Sequence, residues 1–346
     1  MPKNCKCAKP LGIKVRCWWL LLILFFLMGL AIFIFYSLDQ QASWPMNPWR
    51  IRSLSNQSYI DVTTSVDSYF VEYPHPYQFL MDEPNRCQEE SPFLVLIIPV
   101  EPHNQEARNI IRNTWGKETM VLGHVVSHYF LLGLSTEGYG TKAFQEELLL
   151  ESQRHHDILQ SNFVDSYKNL TIKTMVMFEW LSTHCSNTSY AMKIDSDIFL
   201  NVQKLVDLLL KAPRQHYMTG HVVRDALVLR NHDSKWFMPV SVFPDSRYPP
   251  YVLGLGYVFS LDLPRKILGA SSHIRAVYIE DVYVGLCMKH EGIEVTDPPD
   301  GGLFQAGMPF YRNGCYWTSV ITTILKNSKQ LVDIWGLYET QTQSGC

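Results

Sequence analysis

The chain is predicted to fold as an α/β domain around an open, mainly parallel sheet, and three observations carry that expectation. From Ser91 onward, strand-length apolar runs alternate with stretches of helical period. Those runs are continuous rather than alternating, as strands covered on both faces are. In Tyr190-Ala-Met-Lys-Ile-Asp195-Ser-Asp197-Ile-Phe-Leu, two carboxylates one residue apart interrupt an apolar strand at its end. Open α/β sheets bind ligands at the carboxyl ends of strands.

Ahead of that domain, Lys3, Lys6, Lys9, Lys14 and Arg16 precede the uncharged run Trp18–Tyr36. At ~1.5 Å per residue this run is long enough to cross ~30 Å of hydrocarbon. It exceeds the apolar region of a signal peptide and has no small-x-small cleavage site after it, so it reads as an uncleaved anchor. The basic side stays cytosolic. The expected organisation is a cytosolic tail (1–17), a transmembrane signal anchor (18–38), a lumenal stem (39–88) and a lumenal catalytic domain (89–346). The stem has mixed polarity, several Pro and Ser, and no sustained period.

Within the domain, Phe93–Val100 is a central strand, and Asn104–Trp115 a helix with Ile110 and Ile111 on its apolar side. Tyr129–Gly133 is a second strand, Lys142–Arg154 a second helix and Asp157–Gln160 a short strand. Leu170–His184 is a third helix with Met175, Phe178 and Leu181 toward the core, leading into the strand that ends at Asp195. Lys204–Lys211 is helical. Arg247–Gly256 reads as rigid turns running into a strand Tyr257–Ser260, with Gly254 and Gly256 letting backbone approach a ligand or another strand. Trp236 offers an indole that either stacks on a sugar face or packs in the core. Glu280 and Asp281 again interrupt apolar sequence, as a catalytic base with its orienting neighbour or as caps of a helix Val282–His290.

Buried carboxylates are costly without a cation. Asp195 and Asp197 together suit a hard divalent ion such as Mg²⁺ or Mn²⁺ that also carries a phosphate; the plainer alternative is an acidic cap of the helix that starts near Asn201. The 346 residues, 47% apolar and 18% charged, suffice for one large core or two modest ones. A net charge of −3 argues against a nucleic-acid partner. Asn56-Gln-Ser, Asn169-Leu-Thr and Asn187-Thr-Ser are glycosylation sequons that agree with a lumenal address. Of eight cysteines, Cys87, Cys185, Cys287, Cys315 and Cys346 are on the lumenal side. Five is odd, so one thiol is left over or bridges two chains of a homo-oligomer.

Arg108-x-x-x-Arg112-x-Thr-Trp115-Gly116, Asp165-x-Tyr-x-Asn169-Leu-Thr-x-Lys173, Lys193-x-Asp195-x-Asp197, Tyr248-Pro with Gly254-x-Gly256-Tyr257, and Glu280-Asp281-Val-Tyr-Val-Gly285 occur in one order along the chain. From about residue 84 to about 322 the chain resembles the β-1,3-glycosyltransferases of glycosyltransferase family 31, most of all its β-1,3-galactosyltransferases. The resemblance implies a single-pass type II Golgi membrane protein with a GT-A-like fold. It implies an inverting transfer that uses a UDP-sugar, here UDP-galactose, and Mn²⁺, with a glycan on a glycoprotein or glycolipid as acceptor. Position by position, it implies Asp197 with Asp195 at the metal, Arg108, Arg112 and Lys193 about the nucleotide sugar, Asp281 as base and Glu280 beside it.

Three positions depart from the family pattern. Ile324 stands where the family has a metal-site His, Val252 where relatives have a Cys, and Leu253 where Ser is common. Two further readings therefore stay open: transfer of an N-acetylhexosamine by the same fold, and a weakened UDP-sugar-binding or partner protein.

Overall fold

The computed structural model describes residues 66–135, 142–309 and 314–346. The expected cytosolic tail, anchor, most of the stem and Asn56 lie outside the described residues. Among those described, no helix is long and apolar enough to cross a membrane.

In chain order the strands are β1 (Phe79–Met81), β2 (Leu94–Pro99), β3 (Met120–Val121), β4 (His124–Leu134), β5 (Ile158–Val164), β6 (Tyr190–Ile194), β7 (Ile198–Leu200), β8 (Met218–Val223), β9 (Tyr251–Ser260), β10 (Phe304–Gln305) and β11 (Thr322–Ile324). The helices are α1 (Arg86–Glu90), α2 (Gln105–Asn113), α3 (Lys142–His155), α4 (Leu170–His184), α5 (Val202–Leu210), α6 (Leu263–Ser271), α7 (Glu280–His290), α8 (Tyr316–Ser319) and α9 (Gln330–Gln343).

The large sheet runs β1-β5-β4-β2-β6-β9-β8, with β3 paired to β4. Strands β5, β4, β2 and β6 are mutually parallel, whereas β1 and β9 run against them. The sheet is thus α/β and mainly parallel, with an antiparallel extension at β9 that the apolar pattern did not reveal. The central strand β2 is apolar throughout because it is covered twice: Val95 and Ile97 enter one apolar cluster, Leu94, Leu96 and Ile98 the other. A small sheet, β10-β11-β7, continues from the end of β6.

Two expectations are corrected here. Residues 66–88 were assigned to the stem, yet Phe70 bridges Val277, β1 pairs with β5, and Tyr69 and Tyr73 are buried in the core. The stretch 251–256, expected as turns, is strand: β9 starts at Tyr251, Gly256 pairs with Ile194 of β6, and Gly254 lies against Glu280 and Asp281 of α7.

One cluster of motif residues clamps the ends of three parallel strands. Lys173 on α4 is buried and donates to Asp165 Oδ2 at 2.7 Å, just past β5, and to Val100 O at 3.0 Å, just past β2. The same Asp165 oxygen accepts from Gly133 N on β4 at 3.0 Å. Burial pushes the Lys173 ammonium below its usual pKa, and Asp165 opposes that. Disulfides join Cys87 to Cys185 and Cys315 to Cys346, leaving Cys287 buried and unpaired among the described residues. Cys287 shares its apolar cluster with Val252.

Candidate functional site

Strand β6 delivers Lys193 and, one step past its end, Asp195. Antiparallel β9 sets Gly254 beside them, since Asp195 N donates to Leu255 O at 3.0 Å. Helix α7 begins on the same side, with Glu280 and Asp281 in its first turn, where the helix dipole favours negative charge. Lys193 Nζ ties these pieces together: it donates to Asp195 Oδ1 at 2.8 Å and to Gly254 O, and lies 3.8 Å from Glu280 Oε2. Burial alone would lower the pKa of Lys193; Asp195 and Glu280 outweigh that and raise it, so the ammonium stays charged.

The two acids of α7 differ in freedom. Glu280 is buried, accepts the Tyr257 hydroxyl proton at 2.7 Å, and has its pKa raised to about 7 by burial, against the pull of Lys193. Asp281 is only partly buried. Its Oδ2 accepts from Gly254 N at 3.1 Å and its Oδ1 from Val282 N at 2.9 Å, while burial raises its pKa. A partly accessible carboxylate held by two backbone donors, its pKa raised by burial, can take a proton from a bound hydroxyl.

Both acids line a cavity of about 490 Å³ together with Lys193, Asp195, Gly254, Trp236, Lys235 and the aromatic rings of Tyr167, Tyr248, Tyr251 and Tyr278. Tyr248, absent from the sequence-predicted site, also lines it, with its hydroxyl buried and unpartnered. The signal that could have found it is the Tyr-Pro pair in the fourth motif.

Other expected residues fall elsewhere. Gly256 faces Met192, and Tyr257 acts through Glu280; neither lines the cavity. Arg108 and Arg112, expected about the nucleotide sugar, are engaged within the protein. Arg108, 1% exposed, grips Glu151 with two bonds of 2.8 and 2.7 Å and holds the carbonyls of Glu101 and Pro102. Arg112 grips Asp157 at 2.8 and 2.7 Å and also reaches Glu151. Arg108 thus fixes the loop that follows β2, and Arg112 ties α2 to Glu151 on α3 and to Asp157 just before β5, because a guanidinium's five donors suit buried carboxylates. Asn187 is exposed in a turn; Asn169 is partly buried, its Nδ2 donating to Val164 O at 2.8 Å.

The acid pair suits a hard cation in its donor chemistry. Asp197 has no ion-pair partner among the described residues, and burial together with Asp195 pushes its pKa up, so the pair gains from a cation. No cluster of three or more His, Cys, Asp or Glu that could hold a metal occurs among the described residues. Two carboxylates fit an ion that keeps water and takes phosphate oxygens for its remaining ligands. Ile324 borders this pair: it lies opposite Ile198 in the small sheet, and Leu325 N donates to Asp197 O at 2.9 Å.

Comparison with known proteins bears on this arrangement. The Galactosyltransferase family pattern matches residues 106–299, which include the acid pair and both α7 carboxylates. Beta-1,3-galactosyltransferase 2 of Pongo abelii is 41% identical over 279 residues, 79% of this chain. The chain spans 65% of that relative's length. Beta-1,3-galactosyltransferase 1 of Mus musculus is 38% identical over 276 residues, covering 79% of this chain and 82% of the relative. A solved structure described as the WbbM bifunctional glycosyltransferase in its apo form aligns at a TM-score of 0.39 with 11% identity, covering 72% of this chain and 49% of that one. On the family match and the relatives' identity, the chain belongs to the galactosyltransferase family.

Proposed function

We propose that the protein is an inverting β-1,3-galactosyltransferase that moves galactose from UDP-galactose to the 3-hydroxyl of a terminal N-acetylhexosamine, working in the Golgi lumen from a single-span anchor. The observation that carries this reading is the convergence of Asp195, Lys193 and the Glu280–Asp281 pair on one cavity, in a chain about 40% identical to named β-1,3-galactosyltransferases. Asp281 accepts the acceptor's hydroxyl proton as that oxygen forms its bond to the sugar's anomeric carbon; the bond from that carbon to the UDP oxygen breaks, and the electron pair leaves with UDP. One displacement inverts the carbon.

Glu280, held by Tyr257 and Lys193, fixes the first turn of α7 beside Asp281. Trp236 offers an apolar face to the acceptor ring. Asp195 and Asp197 would hold Mn²⁺, which when bound neutralises the diphosphate of the leaving group. The observation favouring a weakened, UDP-sugar-binding role is Ile324, an aliphatic side chain at the edge of the acid pair.

Full-length protein incubated with UDP-galactose, Mn²⁺ and a terminal N-acetylglucosaminide should yield a β-1,3-linked product, identified by NMR. Asp281→Asn should abolish transfer and keep UDP affinity; transfer at the unaltered rate in that variant would remove Asp281 as base. UDP binding that is equal with Mn²⁺ and with chelator would remove the metal from the reading.

A further inference from the structure

A second cavity, of about 660 Å³, lies where β6 begins and β9 ends: Ser189 precedes β6, and Leu261 and Asp262 follow β9. Asp195 is past the far end of the same strand, about 20 Å away at ~3.3 Å per residue. A ligand here is therefore neither the leaving group nor the reacting sugar. The sequon Asn187-Thr188-Ser189 runs along the wall of this cavity. Asn187 is exposed, and Ser186 and Thr188 on either side of it both line the space. The turn that carries it is pinned, since Thr188 N donates to Cys185 O at 3.0 Å and Cys185 is bonded to Cys87. Thr188 is 6% exposed, with its Oγ1 3.5 Å from Cys87 Sγ. A group attached to Asn187 thus leaves from a fixed point beside the cavity.

The wall is rich in donors and poor in free acceptors. Arg214 donates to Ser189 Oγ, and its guanidinium carbon is 5.0 Å from the Phe93 ring centroid and 5.3 Å from that of Tyr190. Arg265 reaches Ser182 O at 3.5 Å, and Gln215 is exposed. The carboxylate of Asp262 is already engaged: it accepts from Ser260 Oγ at 2.6 Å, from Lys266 Nζ at 2.8 Å and from His216 N at 3.2 Å. What this wall offers a ligand is guanidinium and amide protons. The hydroxyl and acetamido oxygens of a sugar accept such protons, and Leu261 in the same wall offers its ring an apolar contact.

We infer that a glycan carried by Asn187 folds back into this cavity, its first sugars against Arg214, Gln215 and Arg265, and so ties the turn before β6 to the start of α6. This rests on the lumenal address in the proposed function. In the attachment, Asn187 Nδ2 gives up a proton and bonds the anomeric carbon of the first sugar. The bond from that carbon to a lipid diphosphate donor breaks, and the diphosphate leaves with the electron pair. A tether holds the glycan at millimolar effective concentration, so a weak sugar site is filled.

The test is a thermal double-mutant cycle on the full chain, made in a secretory host and held in lipid nanodiscs. One arm is Asn187→Gln; the other is the cavity variant Gln215→Ala, Arg265→Ala, both exposed positions whose loss leaves the core intact. With a site filled to about ten times its dissociation constant, Asn187→Gln should lower the melting temperature by about 2–4 °C in the unaltered cavity. In the cavity variant the same change should cost less than about 1 °C, because the contact is already gone. Equal losses in the two backgrounds, a larger loss in the cavity variant, or no loss in either each overturn the inference. Sodium sulfate, compared with sodium chloride at matched ionic strength, tests the competing ligand class. Additive losses together with a sulfate gain that needs Gln215 and Arg265 would assign the cavity to a free oxyanion and overturn the glycan. Peptide mass spectrometry of Asn56, Asn169 and Asn187 reads the lumenal address separately. An unmodified Asn187 beside a modified Asn56 or Asn169 overturns the inference alone; three unmodified sites remove the address with it.

Discussion

A Cβ on Gly254 would lie 2.7 Å from Oε2 of Glu280. Glycine at this point of β9 is therefore what lets the α7 carboxylate approach the strand close enough to share Lys193 with the Gly254 carbonyl. Gly254→Ala should displace the Glu280 carboxylate and, through the neighbouring Gly254 N to Asp281 Oδ2 bond, misplace Asp281, the proposed base. Turnover should fall about 100-fold, the scale expected of a misaligned reacting group, while the melting temperature shifts by only a few degrees. Steady-state kinetics beside a thermal melt separates the two; a variant with normal kcat would mean that Glu280 can occupy another position at no cost.

The guanidinium network of α2 makes a prediction about stability rather than catalysis. Arg112 holds Asp157 well below the usual carboxylate range against the opposing effect of burial, and Arg108 and Arg112 lower the pKa of Glu151 against burial. A depressed folded-state pKa stabilises the fold above the unfolded value, ~3.9 for Asp and ~4.3 for Glu, and that stability is lost as pH falls through the folded value. Stability should be flat with respect to these two groups above about pH 5 and should decline below about pH 4. Arg112→Met leaves Asp157 buried without its main partner and should cost about 3–5 kcal/mol, read by denaturant unfolding at pH 7. The variant should also lose part of the decline below pH 4.

How much of this was legible in the sequence depends on how local the signal is. Helix Leu170–His184 coincides with its expected bounds because its apolar face and the sequence before it are local signals. The helix after the acid pair starts where expected, but its cap is Asn201, whose Oδ1 accepts from Lys204 N, and not an Asp of the pair. Asp195–Asp197 and Glu280–Asp281 were each legible as candidates because each pair breaks an apolar run; that Asp195 meets Glu280 and Asp281 on one cavity was not. What stayed hidden is pairing at long range. Nothing local says that Arg108 and Arg112 meet Glu151 and Asp157 some forty positions later, so two arginines beside a presumed nucleotide site read as ligands. Strand β9 was hidden from Tyr251 to Gly256 because Pro-Pro and two glycines carry turn signals, and its partner strand overrides them. Strand β1 is three residues long and has no period to read.

Cys287 should be chemically silent in the native protein. Burial pushes its thiol up to about 12, so almost none of it is thiolate at neutral pH. Iodoacetamide treatment followed by peptide mass spectrometry should leave Cys287 unmodified until denaturant is added. Cys87, Cys185, Cys315 and Cys346 should stay unlabelled in both conditions unless a reductant is present, because they are paired. Rapid labelling of native Cys287 would place it at the surface and reopen the reading of the odd cysteine as a bridge between chains.

Ile324→His should strengthen the site for a divalent ion. Position 324 lies across from Ile198 in the β7–β11 pair, and the adjacent Leu325 N bonds the Asp197 carbonyl, so an imidazole there would enter at the border of the acid pair without a change of fold. An added nitrogen ligand favours Mn²⁺ over Mg²⁺, since imidazole suits transition metals and carboxylate suits both. UDP affinity measured by calorimetry with each ion should rise with Mn²⁺ by roughly 10- to 100-fold, the scale on which changes around a metal site act, and should scarcely move with Mg²⁺. Equal changes with the two ions would mean that residue 324 acts through packing of the small sheet. No change with either would put the ion's ligands elsewhere than at Asp197.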